Sequence, residues 1–107
     1  MKKISIILAL IAILVFCLPA LADDVIKVCE VTDTGGVDDK SFNETAWNGI
    51  LQAKEKYGVE AVVLESQSDA DYAVNIDQFI EDECDLIVTV GFMLMDATAT
   101  AADNNPD

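Results

Sequence analysis

An apolar, β-branched run, Val25 to Val31, passes straight into a polar loop, and the loop feeds a helical pattern, Ala46 to Tyr57, closed by Gly58. The loop, Asp33 to Glu44, holds the glycines Gly35 and Gly36, four carboxylates and one aromatic, Phe42. This order constrains the fold more than any other feature of the chain. A strand that ends in a glycine-bearing loop and then enters a helix opens a βα unit. In open α/β sheets ligands sit outside the carboxyl ends of the strands, on such loops.

The pattern then repeats. Val59 to Glu65 reads as a second strand, with Ala61-Val62-Val63-Leu64 at its heart. Ser66 to Asp71 is polar, and Ser68 or Asp69 can cap the following helix, whose apolar stripe is Tyr72, Ile76, Phe79 and Ile80. Leu86 to Val90 is a third strand, Gly91-Phe92 turns out of it, and Met93 to Ala102 is an alanine-rich third helix. Asn104-Asn105-Pro106-Asp107 is a stop signal. In the first helix, Ser41 and Glu44 fit a capping box. Phe42, Ala46, Ile50, Ala53 and Tyr57 recur at helical spacing and are expected to face the sheet. Short connections and right-handed crossovers give an α/β fold: a three-stranded parallel sheet with helices on both faces, in which an order of 2-1-3 would set Gly91 and Phe92 beside the first loop. Three parallel strands leave a raw edge. The expectation is therefore an incomplete lobe that is aggregation-prone alone, and a free-standing minimal domain is the alternative.

Residues 1–22 stand apart from this fold. Lys2 and Lys3, the apolar Ile4 to Leu18, and the small-x-small Ala20-Leu21-Ala22 make a signal peptide. The core is short for a membrane-spanning anchor. Cys17 invites a lipid anchor, but a lipidated cysteine normally follows a small residue and here Phe16 precedes it. Cleavage after Ala22 leaves 107 − 22 = 85 residues, enough for one small domain. These hold all twenty acidic residues, four lysines, and no arginine or histidine, a formal charge of −16. Such a polyanion does not seek nucleic acid or an anionic lipid surface. Cys29 and Cys84 remain. With Cys29 mid-strand and Cys84 before the third strand, their offset is about three residues, roughly 10 Å. A disulfide needs Cα atoms within roughly 7 Å, so free buried thiols are expected.

No catalytic constellation is visible. Without histidine there is no Ser-His-Asp triad or Cys-His pair and no zinc-type cluster. The phosphate-loop and dinucleotide patterns are absent. A hard-cation site at Asp33, Asp38 and Asp39 lacks supporting spacing, and neither metal nor cofactor is expected. Binding is the better account, and five residues are candidates. Asp33 ends the first strand and accepts hydrogen bonds, either from a ligand or from the turn that follows. Phe42 either packs or stands on a cleft rim. Asn43 is polar and adjacent, a donor and acceptor or simply a solvated first-turn residue. Gly91 lets backbone approach a ligand, and Phe92 either lines the cleft or packs under the third helix. Asp38, Asp39 and Lys40 read as structural, and Trp47 as packing.

Two stretches carry a resemblance: Asp33-Thr34-Gly35-Gly36 with Asp38-Asp39-Lys40-Ser41-Phe42-Asn43, Trp47 and Gly49, and Asp85 to Phe92 followed by Asp96-Ala97. Together they resemble the N-terminal signature of the basic membrane protein family, substrate-binding proteins of ABC transporters similar to bacterial purine nucleoside receptors. The resemblance implies that residues 23–107 are an incomplete N-terminal lobe of a type 1 periplasmic-binding-protein fold. It also implies a purine nucleoside held between two lobes, with Phe42 stacking on the base and Asp33 bonding hydroxyls or a ring N–H. The partner implied is a membrane ABC permease, and the location is the periplasm or outer face of the cell membrane. Two other classes stay open: a sensor domain of similar lobe fold feeding a signalling partner, and a flavodoxin-like enzyme. Secreted protein should show an intact mass beginning at Asp23, and a diacylglycerol adduct on Cys17 would restore the lipid anchor.

Overall fold

The computed structural model describes residues 24–106. The expected signal peptide, its expected cleavage site and Cys17 lie outside them. Three strands and three helices alternate: β1 (Lys27–Val31), α1 (Phe42–Tyr57), β2 (Glu60–Leu64), α2 (Asp71–Glu81), β3 (Leu86–Thr89), a single 3₁₀ turn (Phe92–Leu94) and α3 (Met95–Asn104). The sheet is parallel, as the alternation of short strands and helices leads one to expect, and its order is β2-β1-β3. Cys29 stands level with Val62 on one side and Ile87 on the other.

Because side chains alternate across a strand, β1 sends Cys29 and Val31 to one face and Val28, Glu30 and Thr32 to the other. On the first face Cys29 and Val31 cluster with Tyr72, Ile76 and Phe79 of α2 and with Leu94, while Ala97 and Ala101 of α3 pack against them. Phe79 is 1% exposed, and truncating such a buried aromatic to alanine costs about 3–5 kcal/mol. The second face is covered by α1, whose buried residues are Asn43 and Ile50.

The helix ends differ from their sequence reading in instructive ways. Gly58 closes α1 as expected, in the left-handed region at φ 73°, with its N–H on the Lys54 carbonyl. The other end is not a capping box: Ser41 makes no side-chain cap. Lys40 adopts φ 55° and turns the chain so that Asp39 reaches the helix end first. Asp39 Oδ1 accepts from the N–H groups of Ser41 (2.8 Å) and Glu44 (3.1 Å), and Oδ2 from that of Asn43 (3.1 Å). The first stripe also ends early, since Phe42 is 75% and Tyr57 70% exposed. α2 is not capped by Ser68 or Asp69; Asp71 bends back to accept from the N–H groups of Gln67 and Ser68.

The expectation of free thiols is overturned. Cys29 and Cys84 are joined by a disulfide, with Cα atoms 6.2 Å apart. The offset along the strand is as read, for Ile87, three residues past Cys84, stands opposite Cys29. Cys84, however, is not an extension of β3. Glu83 at φ 55° and the bond from Cys84 N–H to the Phe79 carbonyl curl it back off α2 and over β1. The Asp85 N–H then bonds the Lys27 carbonyl, and the Lys27 N–H bonds Asp85 Oδ2. A cross-link spanning 55 residues stabilises by about 4 kcal/mol in the chain-entropy account. Reduction should therefore lower the melting temperature sharply. Denaturant without reductant should expose no thiol from Cys29 or Cys84; labelling of either under those conditions contradicts the cross-link.

Candidate functional site

Parallel strands with this order bring the loops after β1, β2 and β3 to one edge, with β1 between the others. Asp33 sits at the centre of that edge. Its Oδ1 accepts from the Gly35 N–H (2.8 Å) and from Asn43 Nδ2 (2.7 Å). Its Oδ2 takes no hydrogen bond from the described residues. Asn43 is 1% exposed, and its amide nitrogen donates to both Asp33 and Asp39 Oδ2 (3.0 Å). The structure thus places Asn43 beneath Asp33, where it fixes one carboxylate oxygen and leaves the other outward.

Asp39 is the hub of this arrangement. Burial pushes its carboxyl up, but the N–H groups of Glu44, Ser41 and Asn43 and the Asn43 amide outweigh that and hold it below its ordinary value. The helix N-terminus favours the same charge. Asp38 pairs with Lys40, which also reaches Glu44 (3.3 Å). The sequence reading of Asp38, Asp39 and Lys40 as structural agrees with these contacts. Among the described residues no group of three or more His, Cys, Asp or Glu is arranged to hold a metal ion.

Gly91 meets Asp33. It lies at φ 114°, ψ 142°, and a Cβ built there would stand 2.7 Å from Asp33 Oδ2 and 3.1 Å from Asp33 Cβ. The close approach that glycine permits is that of the Asp33 side chain. Phe92 is 94% exposed and does not pack under α3; Phe42, Met93 and Met95 are also exposed. The five sequence candidates therefore divide. Asp33, Gly91 and Asn43 form one contact network, while Phe42 opens α1 and Phe92 opens the 3₁₀ turn, both exposed.

Two participants were not singled out from sequence. Glu65, just past β2, accepts the Val37 N–H (2.8 Å) and lies against Gly36, where a Cβ would meet its Oε1 at 2.7 Å. The signal was present: strand order 2-1-3 puts the residue after β2 beside the first loop. Tyr72 reads as core and is buried, yet its hydroxyl reaches Met93 Sδ (3.7 Å). Burial, then Asp69 and Asp33, hold that phenol above its ordinary range. A groove of about 380 Å³ lies elsewhere, along the outer side of β3 between Ile76, Ile87, Thr98 and Ala101, away from Asp33.

Charged and aromatic groups thus gather at the carboxyl edge of the strands, where open α/β sheets hold their ligands. Residues 26–107 match the family described as ABC transporter substrate-binding protein PnrA-like, and the chain belongs to this Bmp family. It is 40% identical over 85 residues to the ABC transporter nucleoside-binding protein BmpA of Lactococcus lactis, covering 76% of this chain and 24% of that protein. An uncharacterized lipoprotein of Pyrococcus furiosus is 31% identical over 115 residues, covering all of this chain and 29% of its own. Among solved structures, a solute-binding protein of an ABC transporter system from Aeropyrum pernix superposes with a TM-score of 0.69 at 36% identity, over 76% of this chain and 22% of the other. The chain thus spans about a quarter of the length of these relatives. No helix among the described residues is long and apolar enough to cross a membrane.

Gly91→Ala should destabilise by about 2 kcal/mol, since the backbone there is one L residues avoid and the new methyl meets Asp33. In an Asp33→Ala background the same substitution should cost less. Urea unfolding of the four proteins checks this; equal costs in both backgrounds would separate Gly91 from Asp33.

Proposed function

We propose that this chain is one lobe of an extracytoplasmic substrate-binding protein for an ABC importer, and that its ligand is a purine nucleoside. The observation that carries the reading is Asp33. One oxygen accepts from Asn43 and Gly35, and the other lies against Gly91 with no hydrogen-bond donor among the described residues, while Phe42 and Phe92 are exposed. A fixed carboxylate acceptor suits sugar hydroxyls or a ring N–H, and an exposed aromatic suits the face of a base. Membership of the family and the relative named as nucleoside-binding support this chemistry. On this reading Asp33 bonds the nucleoside, Phe42 stacks on its base, Phe92 and Gly91 border the site, and Asn43 acts through Asp33. A second lobe closes the site, and a membrane permease receives the ligand. The work is capture, with no bond made or broken.

Export follows from the leader. The protein then resides in the periplasm or at the outer face of the cell membrane, in an environment where the Cys29–Cys84 disulfide persists.

Losing an aromatic platform costs about 1–3 kcal/mol, or roughly ten- to a hundredfold in affinity. In the two-lobed protein, Phe42→Ala should weaken nucleoside binding by that order, and Phe42→Tyr or Phe42→Trp by less. Asp33→Ala should weaken it too, with a different dependence on ligand hydroxyls. Calorimetry with adenosine, guanosine and inosine measures both. Unchanged affinity in Phe42→Ala and Asp33→Ala would move the site elsewhere.

A further inference from the structure

The face of β1 toward α1 holds one group that the binding reading does not use. Glu30 is 0% exposed, and neither carboxylate oxygen has a hydrogen-bond partner among the described residues. Its level neighbours in the sheet are Val63 of β2 and Val88 of β3, whose side chains share its face. No lysine answers it. Lys27 lies on the opposite face and gives its Nζ to the Asp82 carbonyl. Lys40 is engaged by Asp38 and Glu44, and Lys54 and Lys56 are in the last turn of α1. The remaining charges on the elements packed around it are carboxylates. These are Asp33, Asp38 and Asp39 in the first loop, Glu44 and Glu55 on α1, Glu60 and Glu65 at the two ends of β2, and Asp85 before β3. A second orphan, Asn43 Oδ1, is buried at the N-terminal end of α1, which covers this face.

An unpaired carboxylate in such a layer neutralises rather than remain charged. We propose that Glu30 is a proton switch beneath α1. Neutral, it fills the layer between sheet and helix; ionised, it sets an unpaired buried charge against the Asp39 carboxylate that holds the helix N-terminus. The Asp39–Asn43–Asp33 network is then held most firmly in mildly acidic solution and loosens above neutrality. Burial first, and the Asp39 charge second, raise the Glu30 carboxyl from 4.5 to about 7. The folded chain therefore keeps a proton that the unfolded chain has lost. The stability from this group is fully present below about pH 4.5 and is lost as pH rises through about 7. The change is on the order of a hundredfold in the folding equilibrium. Asp39, held low, works the other way, and its contribution is lost only in acid. The two together put the stability maximum on the acid side of neutrality.

The test is urea unfolding of the full chain and of Glu30→Gln between about pH 5 and about pH 8, with carbon NMR of the Glu30 carboxyl in the parent protein. The parent should lose stability across that window relative to the glutamine variant, whose neutral amide has no proton to lose. The Glu30 carboxyl should titrate near 7. Parallel pH profiles in the two proteins overturn the proposal. So does a carboxyl titrating at its ordinary value, and that measurement decides the matter even if the variant does not fold.

Discussion

Asp39 accepts four hydrogen bonds, three from backbone N–H groups at the start of α1 and one from the Asn43 amide, and the arrangement at the carboxyl edge of β1 depends on them. The first turn of any helix leaves N–H groups without partners. Here a carboxylate two residues upstream of Ser41 satisfies them, and its charge suits the helix dipole. Because the same carboxylate holds Asn43, the helix end and the orientation of Asp33 are one structure. Asp33 Oδ1 takes its hydrogen bond from a side chain in the first turn of α1.

Few cations are available to a chain this acidic, and its carboxylates find backbone partners instead. Asp33, Asp39, Glu65, Asp71 and Asp85 all accept from main-chain N–H groups. The two ion pairs among the described residues both belong to Lys40. Charges used in this way shape loops, and a hydrogen bond to a charged acceptor is about twice as strong as a neutral one. The disulfide supplies what a small core lacks, tying the central strand to the turn after α2. Glu30 is the exception, a buried carboxyl with no hydrogen-bond donor among the described residues, and burial raises its pKa.

The order of elements and the parallel sheet were legible because apolar runs and turn residues alternate cleanly; the central place of β1 does not follow from that alternation. Asp33 was legible from its position at a strand end. The local chemistry was not. Ser41 and Asp39 are both competent caps, and only the left-handed turn at Lys40 decides between them. The stripe from Phe42 to Tyr57 has the right period, but α1 is about 24 Å long over strands of about 17 Å. Its two ends overhang the sheet and stay wet. Cys84 was misplaced for a similar reason: strand register locates a residue along a strand, and Cys84 lies in a turn that folds back. Tyr72 hid its hydroxyl within a correctly read apolar stripe.

Amide hydrogen exchange tests the central dependence most directly. The N–H groups of Ser41, Asn43 and Glu44 should exchange slowly in the parent protein. In Asp39→Ala they should exchange rapidly while Cys29 and Val31 in β1 remain protected. Unchanged protection of those three amides in the variant would mean that something other than Asp39 holds the start of α1, and with it the orientation of Asp33.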